Sequence, residues 1–515
     1  MPIFVASVHA APSITVAAAS SAATANAAAA AASTNIDIDL SPTWNPTDSL
    51  NMVMKFGGSS VATADRMAEV AQIVLSFPGT YPVVVLSAMG KTTNLLLQAG
   101  EEALTTPPGS IPSLPPLRTI KELHRHTADR LGVGPSTHEE IETLLTQLTQ
   151  LLVGISIMQD LTPRAKDSLV SFGERLSTRL FAAFLRARNV PASQFDAFSI
   201  GIVTNDNFTN ADVDYEQTLP AVKAALTENA RGTMPVVTGF LGRGSCTGAI
   251  TTLGRGGSDL TCTLIGASLG LPEVQVWKDV DGVLTSDPRV VDGAHPVSEL
   301  TFEEATELAF FGATVLHPLA MQPAAERGDM GVRVKNSYNR TAPGTLISAR
   351  RDMSNALVTS IVLKSQVTLV DIGSTRMLGQ YGFLSKVFDV FRQQKLSVDV
   401  VATSEVSISL TLDPAKTLWE RDLIEDELDT LMAGFKGWAT ASYRRNMSIL
   451  SLICNVKRTS EILERVFRVM GREGVQVEMM SQGASKVNIS LIIEDGPAKH
   501  ILRCLHKEFF EQQQQ

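Results

Sequence analysis

Thr251-Thr252-Leu253-Gly254-Arg255-Gly256-Gly257-Ser258-Asp259 is the stretch on which the reading of this chain turns. The apolar run Pro235-Val236-Val237-Thr238-Gly239-Phe240-Leu241 precedes it, and a Leu- and Ala-rich helical pattern, Leu260 to Leu269, follows. Strand, glycine loop and helix together aim backbone N–H groups and a helix N-terminus at an anion. Arg255 adds a planar fork that fits carboxylate or phosphate, and Asp259 adds a fixed negative charge. Taken alone, the stretch reads first as a glycine turn joining two elements. The rest of the chain reverses that reading.

The same plan recurs upstream. Met52-Val53-Met54-Lys55-Phe56 runs as a strand into Gly57-Gly58-Ser59-Ser60, and Met67, Val70, Ala71 and Val74 then fall at helical spacing. Paired glycines let backbone approach a ligand, and Lys55 sets a point charge beside the turn. Pro82-Val83-Val84-Val85-Leu86 is a continuous apolar run, as in a parallel strand buried on both faces. It ends in Ser87-Ala88-Met89-Gly90-Lys91-Thr92-Thr93-Asn94. Gly90-Lys91-Thr92 mimics the tail of a P-loop, but Val85 stands where that loop needs its first glycine. Residues 118–190 are helical in pattern and contain Ser171-Phe172-Gly173-Glu174-Arg175. Gly173 suggests a kink there, with Glu174 facing a pocket and able to receive an ammonium group. Asp206, Asn207, Asn210, Asp212 and Asp214 read as caps and turns before they read as Mg²⁺ ligands. The strand Glu273-Val274-Gln275-Val276-Trp277 leads into Lys278-Asp279-Val280-Asp281-Gly282, an Asp-rich turn at the ligand edge of an α/β sheet. His317, alone in apolar surroundings, reads as structural.

Strands alternating with helices over 51–350 predict a mainly parallel sheet sandwiched by helices. After 356 the texture changes to two βαββαβ units of roughly 70 residues, placed at 360–440 and 445–515. Their sheet edges favour side-by-side pairing into a homodimer or larger assembly. Residues 1–50 are Ala-, Ser- and Thr-rich, without Lys or Arg, and cannot bury a core. They read as a disordered leader of the organelle-targeting kind, although the missing Arg departs from that pattern. A net charge of −9 argues against a general nucleic-acid binder. Cys246, Cys262, Cys454 and Cys504 show no metal-ligand spacing, so no metal site is expected among them and a reducing compartment is. No uninterrupted apolar run reaches the length of a membrane helix.

The ordered set Lys55–Ser60, Ser171–Glu174, Thr252–Asp259 and Val315-Leu316-His317-Pro318 resembles the aspartate kinases of the amino-acid kinase family. The two C-terminal units look like ferredoxin-like ACT domains, with Ser404-Glu405-Val406-Ser407-Ile408-Ser409 typical of the first. The resemblance covers about 52–512 and is nearest to the monofunctional plastid enzymes of plants and algae, which supports a chloroplast transit peptide over a cytoplasmic protein. It implies transfer of the γ-phosphoryl group of ATP to the β-carboxylate of L-aspartate, with Mg²⁺ bridging the phosphates. In that scheme Lys55 and the amides of Gly57, Gly58 and Ser59 hold the phosphoryl group, and Asp259 orients Lys55. Arg255 grips a carboxylate of aspartate and Glu174 receives its ammonium, while Ser258, Thr93 and Ser87 line the same pocket. Asp279 and Arg289 fall on the nucleotide side. Feedback by an amino acid, lysine in relatives, would act at Met377, Gln380, Gly382, Phe383, Leu384, Asp399, Ser404 and Glu405.

Thr314 stands where many relatives carry Lys, and Leu284 where some carry Tyr. The alternatives are a kinase of the same fold acting on glutamate or acetylglutamate, which would not usually carry the C-terminal pair, and a catalytically silent ACT-based amino-acid sensor. Lys55, Glu174, Arg255 and Asp259, all present, speak against the sensor.

Overall fold

The structure, a computed structural model, describes residues 36, 49–313, 316–354, 356–374, 381–404, 406–412, 425–483 and 485–511. The N-terminal half begins with β1 (Met52–Phe56), α1 (Ala64–Leu75), β2 (Pro82–Leu86) and α2 (Thr92–Ala103). Three long helices follow, α3 (Pro115–Leu131), α4 (Pro135–Met158) and α5 (Pro163–Ala187). Next come β3 (Ala192–Phe195), β4 (Val203–Thr204), α6 (Tyr215–Asn229), β5 (Met234–Thr238), β6 (Leu241–Gly244) and β7 (Ile250–Thr252). The half closes with α7 (Gly257–Leu269), β8 (Glu273–Lys278), β9 (Glu299–Thr301), α8 (Phe302–Phe310), α9 (Pro318–Arg327), β10 (Gly331–Asn336) and β11 (Thr345–Ser348).

Eight of these strands form one sheet in the order β3-β5-β2-β1-β8-β10-β11-β9, parallel except at β10–β11. Strand alternation divides its side chains between two cores. Met54, Phe56, Val84 and Leu86 enter the core under α1–α5. Val53, Val83 and Val85 enter the other, with Val222 of α6, Cys262 and Ile265 of α7 and Ala324 of α9. Burial on both faces explains the unbroken apolar run of β2. Among the described helices, α4 is the one long and apolar enough by composition to cross a membrane, although Thr and Gln interrupt its apolar run. Leu144, Leu145, Leu148 and Leu152 bury it in the first core, so it is a core helix. Ile36, within the stretch assigned to a leader, donates its N–H to Arg130 O at 3.0 Å and packs on the same core.

The C-terminal half comprises β12 (Val358–Gly373), α10 (Phe383–Gln393), β13 (Val398–Thr403), β14 (Ser407–Leu412), α11 (Glu425–Ala433), β15 (Thr440–Cys454), α12 (Thr459–Glu473), β16 (Met479–Gln482), β17 (Asn488–Glu494) and α13 (Asp495–His506). They form one six-stranded antiparallel sheet, β13-β14-β12-β15-β17-β16. The two expected units are present, but they share their long strands. Residues 368–373 of β12 pair with β14, whereas its residues 358–364 pair with the end of β15 that meets β17. The second unit thus takes an outer strand from residues before the first. Its strand expected near 475–477 lies at 479–482. Val400 of β13 and Met479 of β16 meet in one cluster although their strands end the sheet order, so the sheet curls. The edges expected to be open for pairing therefore approach each other within one chain.

Candidate active site

The glycine loop lies between β7 and α7, at the C-terminal edge of the main sheet. Gly254 (φ +68°) and Gly256 (φ +75°) are left-handed, and a Cβ on either would collide, with Asn210 Oδ1 and His317 Cβ respectively. On Gly257 a Cβ would come within 2.7 Å of the Phe240 ring. The loop is held from below by Asp167 of α5, whose carboxylate accepts from Thr252 N (3.0 Å), Thr252 Oγ1 (2.7 Å) and Thr209 N (2.9 Å). Burial raises the Asp167 pKa, partly offset by these donors.

Asp259 sits in the first turn of α7, with the positive end of that helix behind it. Its Oδ1 lies 2.6 Å from Lys55 Nζ, both side chains only 9% exposed. Its Oδ2 lies 3.9 Å from Lys278 Nζ at the end of β8. Burial alone would raise the Asp259 pKa, but the Lys55 and Lys278 ammoniums outweigh it and hold the carboxyl below its usual range. Beyond Lys55, a Cβ on Gly58 would come within 2.7 Å of Ala88 O, so glycine is needed to bring the turn after β1 against the turn after β2. Gly57 lies beside the Lys55 ammonium, and Ser59 is exposed with its carbonyl accepting from Tyr338 Oη at 3.4 Å.

The opposite wall is α5. That helix runs unbroken through Gly173, so the kink expected there is absent. The glycine serves a different need: a Cβ would stand 2.6 Å from Ala88 Cβ. The close approach lets Glu174 Oε1 accept the Ala88 N–H at 3.1 Å. Glu174 Oε2 is buried without a hydrogen-bond partner, and burial pushes the Glu174 pKa up to about 7. A fully buried carboxyl with one open oxygen is a socket for a cation.

Lys55, Gly58, Ser87, Thr93, Glu174, Gly254, Gly256, Gly257, Ser258 and Asp259 line one cleft of about 430 Å³, with Asn94 and Phe240. Ser87 Oγ donates to Ser258 Oγ at 3.1 Å across its floor.

Comparison with known proteins identifies the family. The Amino acid kinase family profile matches residues 52–336 and an ACT domain profile matches residues 450–509. "Aspartokinase 2, chloroplastic" of Arabidopsis thaliana is 60% identical over 469 residues, 90% of this chain and 85% of that protein. The chain belongs to the aspartokinase family. The Escherichia coli aspartokinase III structure with lysine and aspartate (T-state) superposes with a TM-score of 0.74 at 34% identity, over 89% of this chain and 99% of that one. The same enzyme with aspartate and ADP (R-state) gives a TM-score of 0.71 at 34% identity, over 89% and 100%. Membership makes this chain an aspartate kinase, an ATP-dependent phosphotransferase with a carboxyl-group acceptor. Three chloroplastic aspartokinases match it at 57%, 59% and 60% identity, and it is a plastid protein of that type.

Other expected residues of this aspartokinase fall outside the cleft lining. Arg255 is exposed on the loop between two lining glycines, near enough to His317 to help burial lower that histidine's pKa. His317 caps α9, accepting from Leu319 N at 3.4 Å, and covers Gly256. Asp279 is exposed just beyond Lys278. Arg289 is not brought to the cleft. Its side chain is 88% exposed and grips Asp287 at 2.8 Å, and the next residues, Val290 and Val291, pack into the second ACT unit. Asp214 caps α6 and Asp206 holds the β6–β7 turn, as turn chemistry predicts.

Of the regulatory positions, Met377, Gln380 and Glu405 lie outside the described residues, as does Thr314. Gly382 (φ +79°) caps α10, Phe383 meets the Trp438 ring edge-on at 5.4 Å, and Leu384 and Ser404 are exposed. Asp399 differs from them. Its side chain is fully buried and paired with Lys364 Nζ at 2.6 Å.

Sequence reasoning missed Asp167 and Lys278. Asp167 lies seven residues before Glu174, two helical turns along the same face, a spacing that could have exposed it. Lys278 stood in a quoted motif, masked by its acidic neighbours.

Proposed function

We propose that this cleft transfers the γ-phosphoryl group of ATP to the β-carboxylate of L-aspartate. One observation carries the reading: Glu174, whose Oε2 is buried without a hydrogen-bond partner, lines the cleft that also holds the Lys55–Asp259 pair. The acceptor's ammonium meets Glu174, and its α-carboxylate meets Arg255 at the rim. Ser87, Thr93 and Ser258 fix the rest of the amino acid. The β-carboxylate, ionised at neutral pH, then faces the phosphoryl group without needing a general base. Lys55 and the amides of Gly57, Gly58 and Ser59 neutralise charge on that group, and Asp259 keeps Lys55 aimed. Mg²⁺ arriving with the nucleotide would supply charge neutralisation at the phosphates and would need little from the chain, since Asp259 is engaged by lysines and Glu174 is assigned to the ammonium. Asp279 remains beside the nucleotide side, while Arg289 reaches it only by leaving Asp287.

The ACT pair gives feedback control by lysine, consistent with the lysine complex of E. coli aspartokinase III. A transit peptide lies within the 1–50 leader and ends before Ile36, and the domains run 51–350, 360–440 and 445–515 with β12 shared between the last two. Tyr381, Leu384, Phe388 and Val406 expose apolar surface on the first ACT unit, which suits a homodimer.

A coupled ADP-release assay with aspartate, glutamate and acetylglutamate, each with and without lysine, tests the function. Aspartate-dependent release suppressed by lysine is expected. Release with glutamate alone would transfer the chain to another substrate, and no release with any acceptor would leave a sensor. Lys55→Ala should lower kcat by roughly a hundredfold or more with the fold retained by circular dichroism. Near-wild-type turnover would remove Lys55 from the phosphoryl path.

A further inference from the structure

We infer that Phe240 sets the length of the acceptor: its ring covers the single methylene of aspartate and leaves no room for the second methylene of glutamate. The inference rests on the phosphotransfer reading above.

The turn between β5 and β6 is strained at this residue. Phe240 has φ +71°, and among the described non-glycine residues with positive φ it is the one aromatic. Around it Leu241 N donates to Gly239 O at 2.9 Å, the i to i+2 bond of a γ-turn of the positive-φ kind, which is rare and strained. A bulky side chain avoids this conformation, and where it persists the surroundings over-determine it, most often at ligand sites. Here the surroundings are the glycine loop and the helix it opens. Phe240 N donates to Thr261 Oγ1 of α7 at 3.0 Å, and Phe240 O accepts from Leu253 N at 3.0 Å. Glycine would take the same φ without strain, so the chain tolerates strain in order to keep a ring at this point. Glycines stand instead where the ring and its neighbour need space. A Cβ on Gly257 would lie 2.7 Å from Phe240 Cδ2, and one on Gly239 would lie 2.6 Å from Ser258 Oγ.

The character of the cleft says what the ring is for. Apart from the small Ala88, the rest of the lining is glycine, hydroxyl, amide or charge. Phe240 is the one large apolar surface offered to an acceptor that is charged at both ends. Aspartate has one apolar group, the methylene next to its reacting carboxylate. The ring rests on Gly257, one residue before Ser258 and two before Asp259, whose carboxylate holds Lys55. It therefore lies along the path from the ammonium socket at Glu174 to the phosphoryl side at Lys55. Glutamate is longer by one methylene. It must displace the ring or carry its carboxylate off the line of attack. The ring has little freedom to retreat, because Phe240 also packs against the core that contains Val237 and Leu241.

The test measures kcat/KM for aspartate and for glutamate at saturating MgATP in the full-length enzyme and in Phe240→Leu, Phe240→Ala and Phe240→Gly. Wild type should favour aspartate by roughly a hundredfold or more, the upper part of what one methylene supplies. Phe240→Ala should lower kcat/KM for aspartate by roughly tenfold and raise the glutamate-to-aspartate ratio by roughly tenfold, with Phe240→Leu between the two. Phe240→Gly should match the Ala ratio, and because it needs no strain it carries the test if the Ala variant does not fold. Calorimetric affinities for the two amino acids supply the ratio where turnover is too slow to read. General damage to the cleft lowers both substrates alike, so a ratio within threefold of wild type in the Gly variant overturns the assignment. So does a wild-type enzyme that uses glutamate as well as it uses aspartate. Wild-type enzyme without aspartate-dependent ADP release would instead overturn the functional reading on which the assignment rests.

Discussion

Glu174 concentrates the energetics of the acceptor site in one side chain. Burial lifts its pKa from 4.5 to about 7, against the Ala88 N–H and the Lys55 charge, a difference of order 3 kcal/mol between its two forms. An acid with a raised folded pKa keeps a proton that the unfolded chain has already released. Its contribution to stability is therefore present in acid and declines as pH rises from about 4.5 through 7. An arriving ammonium reverses the preference, because it favours the ionised carboxylate. Log(kcat/KM) for aspartate should thus rise with unit slope below pH 7 and level off above it, since this ratio titrates the free enzyme. Glu174→Gln should lose that limb, raise the aspartate KM by at least roughly tenfold and melt with less dependence on pH between 5 and 7. A flat wild-type profile from pH 6 to 8 would show that the carboxyl does not gate aspartate binding. The residue was legible as a candidate because Gly173-Glu174 interrupts an apolar helix face, but its mechanism was not. A glycine in a helix reads as a kink from sequence, whereas here it admits Ala88.

At the scale of elements, the glycine loop joins demands that sequence can show only in part. Positive φ at Gly254 and Gly256 is a local property, and the run of glycines announces it. The reason that Gly256 lacks a side chain is remote, because His317 at the start of α9 covers it. Gly256→Ala should lower the melting temperature through a left-handed alanine and a forced shift of His317, roughly 1–3 kcal/mol in all. Activity should fall more than tenfold even where the protein remains folded, because the shift moves the turn that presents Asp259. Unchanged kinetics in a folded Gly256→Ala protein would mean that the loop tolerates displacement. The strands of the C-terminal half were equally legible from their apolar runs, although residues 447–454 of β15 and 488–493 of β17 are buried on both faces. Their sharing was not. Val358–Gly373 and Thr440–Cys454 are long enough to serve two units each, and only pairing register reveals which half belongs to which. Arg289 lies apart from the cleft lining for a related reason: a motif position states a neighbourhood in sequence, while the chain after Asp287 turns toward the second ACT unit.

For the whole molecule, α8 is the strut between regulation and chemistry. At its start, Glu304 is buried against Arg351 at 2.6 Å and accepts from Thr359 of β12 at 2.8 Å. At its end, Phe311 enters the cluster formed by Val367, Val400, Met447 and Met479 of the ACT pair. The chain then continues to His317, on the glycine loop. Lys364 Nζ lies 5.7 Å from the Phe310 ring while bound to Asp399, so one ammonium touches both the strut and an expected effector carboxylate. A lysine effector whose own ammonium seeks Asp399 must compete with Lys364. Lys364→Met removes the competitor and takes one ion-pair contact from the buried Asp399, which should destabilise the ligand-free protein by about 1–3 kcal/mol. Added lysine should restore that loss. The thermal shift with lysine should therefore exceed that of wild type, and half-inhibition should occur at roughly tenfold lower lysine, within the usual range of allosteric coupling. Uninhibited turnover should change little, because the glycine loop keeps its own supports in Asp167 and His317. An unchanged thermal shift together with unchanged half-inhibition would place the effector away from Asp399 and leave the Lys364 pair as a fastening of the ACT units alone.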